Sequence, residues 1–226
     1  EPLNPRERLL MGPGPSTVPQ RILRAMSAST LGHLDPQYIG YMDETCQMLR
    51  DVFQTENALT FPVSGTGMAG METIIVNLVE PGDEVIVPSF SFAATANSVS
   101  LTGATPIFVD IDPKTLNVSV EDMRKKTTKK TKAIVVVHYG GLPCDMNEIQ
   151  ALANELGIPV IEDAAHALGG IYEGSTIGSF SDFTMFSFQA IKHITTGDGG
   201  LLAIKDSDLM DKAKRLRWFG IDRKAK

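Results

Sequence analysis

The sequence predicts a three-layer α/β/α sandwich around a mostly parallel sheet with one antiparallel strand. Segments typical of strands and of helices alternate along most of the chain, and such alternation produces parallel strands joined by right-handed helical crossovers. Several strand candidates, notably Ala133–Val137, are continuous apolar runs, as expected for strands covered by helices on both faces. Gly199–Ile204 follows its predecessor without an intervening helix, so this strand is expected to be the antiparallel one.

The first forty residues are rich in proline and glycine, as in Gly12–Pro15 and Gly32–Pro36. Such residues favour turns and extended backbone, so residues 1–40 are predicted to form an arm that crosses a surface. From Pro36 to Phe53, apolar side chains recur at helical spacing, which predicts the first helix. Residues 41–226 are predicted to form one large domain.

The remaining elements are predicted in order from their apolar residues. Short runs of β-branched and aromatic residues bounded by turn residues predict strands, and apolar positions three or four residues apart predict helices. The predicted strands are Leu59–Val63, Glu84–Val87, Thr105–Val109, Ala133–Val137, Ile158–Ile161, Phe183–Phe188 and Gly199–Ile204. The predicted helices after the first are Met68–Val79, Ala93–Leu101, Val120–Lys126, Met146–Leu156 and Ser207–Trp218.

The composition excludes several function classes. The hydrophobic fraction of 42% and charged fraction of 21% among 226 residues are those of an ordinary globular protein, and a net charge of −6 argues against a nucleic-acid partner. The sequence contains neither a signal peptide nor an apolar run of the ~18 residues that a membrane span needs. Cys46 and Cys144 lie too far apart for a metal motif, and two reduced thiols indicate a cytoplasmic protein.

Lys192 is the strongest candidate for a catalytic residue. It lies in a loop that follows an apolar strand, with Ser187 five residues before it and a glycine-rich turn after it. Another apolar strand ends at Asp163, and ligands of open α/β sheets bind at the carboxyl ends of the strands. A lysine that forms a Schiff base, a carboxylate that keeps a ring nitrogen protonated and phosphate-sized loops are the parts that hold pyridoxal phosphate.

Gly65, Thr66 and Gly67 form the candidate phosphate site, because they lie between a predicted strand and a predicted helix. Free N–H groups and the helix dipole bind anions at such a position, and glycine lets the phosphate approach the backbone. Thr66 as a simple helix cap is the alternative.

For three other side chains, the sequence leaves two roles open. Asp163 either faces a pyridinium nitrogen or caps the following helix. Phe92, at the start of a predicted helix, either stacks on the cofactor ring or packs between helix and sheet. His166 either contacts the ring hydroxyl or caps its own segment.

Residues 87–226 resemble the DegT-type sugar aminotransferases, a fold-type-I pyridoxal-phosphate family that acts on nucleotide-linked keto sugars. The strings that carry the resemblance are Pro88–Asn97, Glu162–Ala167 and Phe186–Gly200. The resemblance implies that Lys192 is the Schiff-base lysine and Asp163 the pyridinium partner. By the same resemblance, Ser187 and Thr66 contact the phosphate, Phe92 stacks on the ring and His166 lies near the ring oxygen.

Residues 1–86 resemble class-V alanine–glyoxylate aminotransferases instead, on Leu10–Pro15, Gly32–Pro36 and Phe61–Glu72. Both families share fold type I, so one core could form from both parts. The change of resemblance along the chain therefore predicts a mosaic with a seam near Gly82–Pro88. Both families also continue into a small C-terminal domain that is expected to be missing here.

These features predict a pyridoxal-phosphate-dependent aminotransferase that passes an amino group from glutamate to a nucleotide-linked keto sugar. Amino transfer to glyoxylate and cofactor binding without turnover are the alternatives. The expected partners are a small-molecule amino donor and keto acceptor and a second copy of the chain in a homodimer, with no metal.

Overall fold

The structure is a computed structural model that describes residues 6, 8–10, 17–56, 60, 62, 65–206 and 209. Its strands are β1 (Glu84–Pro88), β2 (Thr105–Val109), β3 (Thr131–Val137), β4 (Val160–Asp163), β5 (Ile171–Tyr172), β6 (Ser175–Thr176), β7 (Phe183–Ser187) and β8 (Gly200–Ile204). Its helices are α1 (Gln20–Met26), α2 (Pro36–Phe53), α3 (Gly67–Leu78), α4 (Ala94–Leu101), α5 (Val120–Lys126) and α6 (Met146–Leu156).

Six strands of the described chain form one sheet in the order β2-β1-β3-β4-β7-β8. The first five are parallel to their neighbours, and β8 alone pairs antiparallel, with β7. The predicted mostly parallel sheet and its single antiparallel strand are therefore confirmed. Strands β5 and β6 form a separate two-stranded hairpin.

Helices cover both faces of the sheet, as the continuous apolar strands predict. Alternate residues of β3 enter different cores: Ala133 and Val135 pack with α3 and α4, while Ile134 and Val136 pack with α5 and α6. Alternate residues of a strand point to opposite faces of the sheet. A strand that is apolar at every position therefore exposes apolar surface to water unless helices cover both faces. The three-layer architecture follows directly from that pattern.

The helix boundaries are determined by local chemistry. Asp35 caps α2, since its side chain accepts a hydrogen bond of 2.8 Å from the backbone N–H of Gln37, and Pro36 occupies the first helical position. At the end of α6, Gly157 has a φ of +67°, which favours glycine and stops the helix. No helix within the described residues is long and apolar enough to cross a membrane.

Most predicted elements are confirmed within two residues of their bounds. The predicted arm is wrong in one respect, because it contains the helix α1, whose Met26 lies against the loop at Gly197. The β5–β6 hairpin was not predicted, since each of its strands has only two residues. The arm segment Gly12–Pro15 lies outside the described residues. So do most of the predicted strand Leu59–Val63 and, except for residue 209, the predicted helix Ser207–Trp218.

Candidate active site

The candidate site lies at the carboxyl edge of the sheet, where the parallel strands end together. Asp163 ends β4 and Ser187 ends β7. These two strands are direct neighbours in the sheet, and α3 begins against the end of β7. Neighbouring strands therefore bring the predicted carboxylate and the predicted phosphate-binding hydroxyl to one edge, as the sequence pattern indicates.

Asp163 is buried, with only 8% of its surface exposed. Its Oδ1 accepts a hydrogen bond of 3.0 Å from the backbone N–H of Ala165, while its Oδ2 has no hydrogen-bond donor among the described residues. Burial raises the pKa of the Asp163 carboxyl above its ordinary value, although the Ala165 N–H and the Lys192 ammonium act in the opposite direction. A buried carboxylate with one free oxygen is costly without a cationic partner.

Lys192 lies in the loop between β7 and β8 and is half-buried. The base of this loop is closed by hydrogen bonds, since the backbone N–H of Phe188 donates to Gly199 at 2.9 Å and that of Thr196 donates to Phe188 at 3.1 Å. Burial lowers the pKa of the Lys192 ammonium, against a smaller effect of Asp163 that raises it. A lysine with a lowered pKa is a better nucleophile at neutral pH, because more of it is the free amine.

The start of α3 forms the candidate phosphate end of the site. The Thr66 hydroxyl caps the helix and accepts a hydrogen bond of 3.2 Å from the backbone N–H of Ala69, so the capping alternative is realised at this residue. Gly67 lies so close to β7 that a Cβ added to it would be 3.0 Å from the Ser187 Cβ. The structure thus brings Gly65, Thr66 and Gly67 next to Ser187.

Gly200 holds β8 against this helix start. A Cβ added to Gly200 would lie 2.4 Å from the backbone nitrogen of Gly67 and 2.6 Å from the carbonyl oxygen of Thr66. No real Cβ tolerates such distances from backbone atoms, so any side chain at Gly200 would push β8 away from α3. The glycine-rich turn after Lys192 therefore has a packing role beside the candidate phosphate site.

We expect Gly200→Ala to lower the free energy of unfolding by on the order of 3 kcal/mol, because the added methyl overpacks a backbone contact. Gly40→Ala is the matched control: a Cβ at Gly40 meets nothing within 4 Å, and alanine is preferred over glycine inside a helix such as α2 by about 0.5–1 kcal/mol. Urea denaturation of both variants measures the effect. Equal stabilities of Gly200→Ala and the parent would contradict the packing role.

Phe92 and His166 are the two other residues predicted to contact the ring. Phe92 does not begin a helix as predicted: α4 starts two residues later, and the ring projects from the preceding loop with 69% of its surface exposed. Burial lowers the pKa of the His166 imidazole, and the nearby Lys192 ammonium lowers it further. His166 is thus near Lys192, while Phe92 is available to a ligand rather than packed against the sheet.

Two further aromatic residues lie at the same edge, where their position directly after buried strands places them. Tyr139 follows β3, and its ring lies 4.7 Å from that of Phe90 and 6.3 Å from that of His166. The sequence pattern assigns neither of them a role. Within the described residues, no group of three or more histidine, cysteine, aspartate or glutamate side chains is arranged to hold a metal ion.

The sheet order and the single antiparallel edge strand are those of the large domain of fold-type-I aminotransferases. The chain belongs to the DegT/DnrJ/EryC1/StrS aminotransferase family, which matches residues 41–226. This match crosses the predicted seam at Gly82–Pro88 and includes residues 41–86, for which the resemblance to class-V aminotransferases is not shown.

Two curated relatives illustrate the match. The chain is 39% identical to the GDP-perosamine synthase of Escherichia coli O157:H7 over 190 residues, which are 83% of this chain and 52% of that protein. It is 38% identical to the dTDP-4-dehydro-2,3,6-trideoxy-D-glucose 4-aminotransferase of Saccharopolyspora spinosa over 164 residues, 73% of this chain and 42% of that protein. The chain thus spans about half the length of these relatives.

Solved structures show the same fold. The structure of DesV from S. venezuelae superposes with a TM-score of 0.74 at 32% identity, over 91% of this chain and 54% of that one. A Streptococcus pneumoniae protein solved in its PLP form superposes with a TM-score of 0.69 at 30% identity, over 85% of this chain and 51% of that one.

Proposed function

We propose that this chain binds pyridoxal phosphate and serves an aminotransferase that passes an amino group from an amino acid, glutamate in our preferred assignment, to a nucleotide-linked keto sugar. The observation that carries the proposal is the coupled pair of Asp163 and Lys192 at the carboxyl edge of the sheet. Each of the two charges acts on the pKa of the other. The sugar-nucleotide acceptor is supported by the named activities of the two curated relatives.

The residues present fit the cofactor. The buried Asp163 has one carboxylate oxygen without a donor among the described residues, which suits a protonated ring nitrogen. The helix start at Gly67 lies against Ser187, and the N–H groups of a helix N-terminus together with a hydroxyl suit a phosphate. The pneumococcal relative in its PLP form supports the same cofactor.

The roles of the residues follow from their chemistry. Pyridoxal phosphate, when bound, supplies an aldehyde that reacts with amines and a ring that accepts an electron pair from the substrate carbon. The Lys192 amine would hold the cofactor and, once displaced by the amino donor, move a proton at its Nζ atom. Asp163 would keep the ring nitrogen protonated, Gly65, Thr66, Gly67 and Ser187 would hold the phosphate, and Phe92 and His166 would contact the ring.

Half-reaction spectroscopy tests the substrate assignment. The chain loaded with pyridoxal phosphate is mixed with glutamate or alanine, and the loss and recovery of cofactor absorbance are followed after adding a nucleotide-linked keto sugar or glyoxylate. We expect conversion by glutamate and recovery by the keto sugar. Conversion by alanine with recovery by glyoxylate would favour the small-keto-acid alternative, and no conversion by either donor would favour binding without turnover.

We further propose that the chain forms a homodimer, on the support of apolar side chains that α2 and α3 expose to solvent. Met48 and Val52 of α2 and Met68 and Val76 of α3 are each about half exposed, and a second copy of the chain would remove such apolar side chains from water. Sedimentation velocity measures the expected dimer, and Met48→Glu should weaken it. A strictly monomeric chain with full cofactor occupancy would contradict the proposal.

A further inference from the structure

A fully buried polar chain lies behind Asp163, on the face of the sheet that α6 covers. His138 Nε2 and Glu162 Oε2 are 2.6 Å apart, and the Thr184 hydroxyl donates to Glu162 Oε1 at 3.0 Å. All three side chains have 0% of their surface exposed. None of them belongs to the proposed cofactor contacts, so their role needs a separate explanation.

The hydrogen bonds determine which groups donate in this chain. The backbone N–H of Cys144 donates to His138 Nδ1 at 3.1 Å, so Nδ1 is an acceptor and the ring proton lies on Nε2. His138 therefore donates through Nε2 to Glu162. Both carboxylate oxygens of Glu162 thus accept a hydrogen bond, which is the condition under which a buried carboxylate is tolerated.

The same three residues also hold the backbone around Asp163. Glu162 directly precedes Asp163 on β4, and its neighbour across the sheet on β7 is Thr184. On the other side, the backbone N–H of His138 donates to the Asp163 carbonyl at 3.1 Å. The end of β4 is therefore attached to β3 and β7 by both its backbone and the side chain next to Asp163.

We propose that His138, Glu162 and Thr184 are positioning residues that hold Asp163 in place for the cofactor ring. The inference rests on the proposed function, since it concerns the residue that would face the ring nitrogen. Successive side chains of a strand point to opposite faces, so a side-chain network at Glu162 orients Asp163 without occupying the cofactor site.

A purely stabilising role explains the network less well. Buried polar and charged networks replaced by apolar residues of similar volume are often as stable or more stable, and a buried apolar cluster packs on this face of the sheet. Hydrogen-bonded groups, in contrast, fix direction as well as distance. Glu162 lies next to Asp163 at the end of β4, which fits a role of the network in orienting that residue.

The test uses Thr184→Val, which removes the hydroxyl and keeps the shape, with Thr184→Ser as the variant that restores it. Thr131→Val is the matched control, because Thr131 is also buried and its hydroxyl accepts a hydrogen bond of 2.9 Å from Thr128 at the opposite end of β3. Affinity for pyridoxal phosphate is measured by absorbance titration, and protection of the His138 amide is measured by hydrogen exchange without cofactor.

We expect Thr184→Val to bind pyridoxal phosphate roughly tenfold more weakly, the effect that outer hydrogen-bond partners have on bound groups, and to shift the absorbance maximum of the bound cofactor. We also expect it to lose protection at the His138 amide. Thr184→Ser should restore all three properties, and Thr131→Val should change none of them. Parent-like affinity and spectrum in Thr184→Val would overturn the inference alone, whereas a parent chain that binds no pyridoxal phosphate would overturn the proposed function and this inference together.

Discussion

Lys192→Ala is expected to abolish covalent attachment of pyridoxal phosphate and to lower amino transfer by on the order of 10²–10⁴-fold. Two properties are lost together, since the same amine would form the covalent bond and later move a proton at the substrate carbon, and positioned proton transfer alone has an effect of that size. Lys192 has the properties that this role requires, because it is half-buried and burial lowers the pKa of its ammonium.

Borohydride reduction of the cofactor-loaded chain, followed by peptide mapping, locates the attachment. We expect the pyridoxyl group on Lys192 in the parent and no labelled peptide in Lys192→Ala. Lys132→Ala is the control, because Lys132 is an exposed lysine near the start of β3, at the other edge of the sheet. A pyridoxyl group on another lysine of the parent, or on none, would contradict the assignment.

The sequence was sufficient to predict the layers of the fold and the edge of the sheet at which Asp163 and Lys192 lie. Continuous apolar runs such as Ala133–Val137 report burial on both faces, and parallel strands place their carboxyl ends at one edge. Asp163 and Lys192, twenty-nine residues apart in the sequence, could be brought together by that rule alone. In the structure Asp163 ends β4, and Lys192 lies in the loop between the neighbouring strand β7 and β8.

Features that depend on short elements or on side-chain direction were not predicted. The turn of the β5–β6 hairpin consists of Glu173 and Gly174, both with positive φ, and its two-residue strands leave no periodic pattern. The pairing of His138 with Glu162 joins side chains of neighbouring strands that are 24 positions apart. The available signal was a glutamate inside a strand buried on both faces, which requires partners somewhere in the core.

Phe92 shows why an aromatic residue at a helix start is ambiguous in a sequence. The segment Pro88–Asn97 resembles the sugar aminotransferases, but the spacing of the apolar residues after Phe92 predicts a helix that begins too early. In the structure α4 begins at Ala94, and the Phe92 ring is largely exposed. Burial of a large aromatic ring contributes to stability, and the exposed Phe92 ring makes no such contribution, so packing between helix and sheet does not account for this residue.

The second large effect is expected for Asp163→Asn, which should still bind pyridoxal phosphate but lose amino transfer by on the order of 10²–10³-fold. A neutral amide cannot keep the ring nitrogen protonated, and loss of a preorganised electrostatic contact has effects of that size. Steady-state rates and the cofactor spectrum measure both properties. Asp182→Asn is the matched control, since Asp182 Oδ2 accepts a hydrogen bond of 3.0 Å from the backbone N–H of Val160 at the opposite end of β4.

The same substitution should leave the cofactor-free chain at least as stable as the parent. Burial raises the pKa of the Asp163 carboxyl, so the folded state binds this proton more readily than the unfolded state does. The buried charge therefore lowers stability above the folded pKa, and this cost decreases as the pH falls from the folded pKa to the lower unfolded pKa. The neutral amide of the Asp163→Asn variant would remove both the cost and its pH dependence, whereas added pyridoxal phosphate should stabilise the parent more than the variant.

Thermal unfolding at several pH values, with and without cofactor, separates the two effects. A variant that is less stable without cofactor and turns over at the parental rate would show that Asp163 serves only to hold the Ala165 backbone.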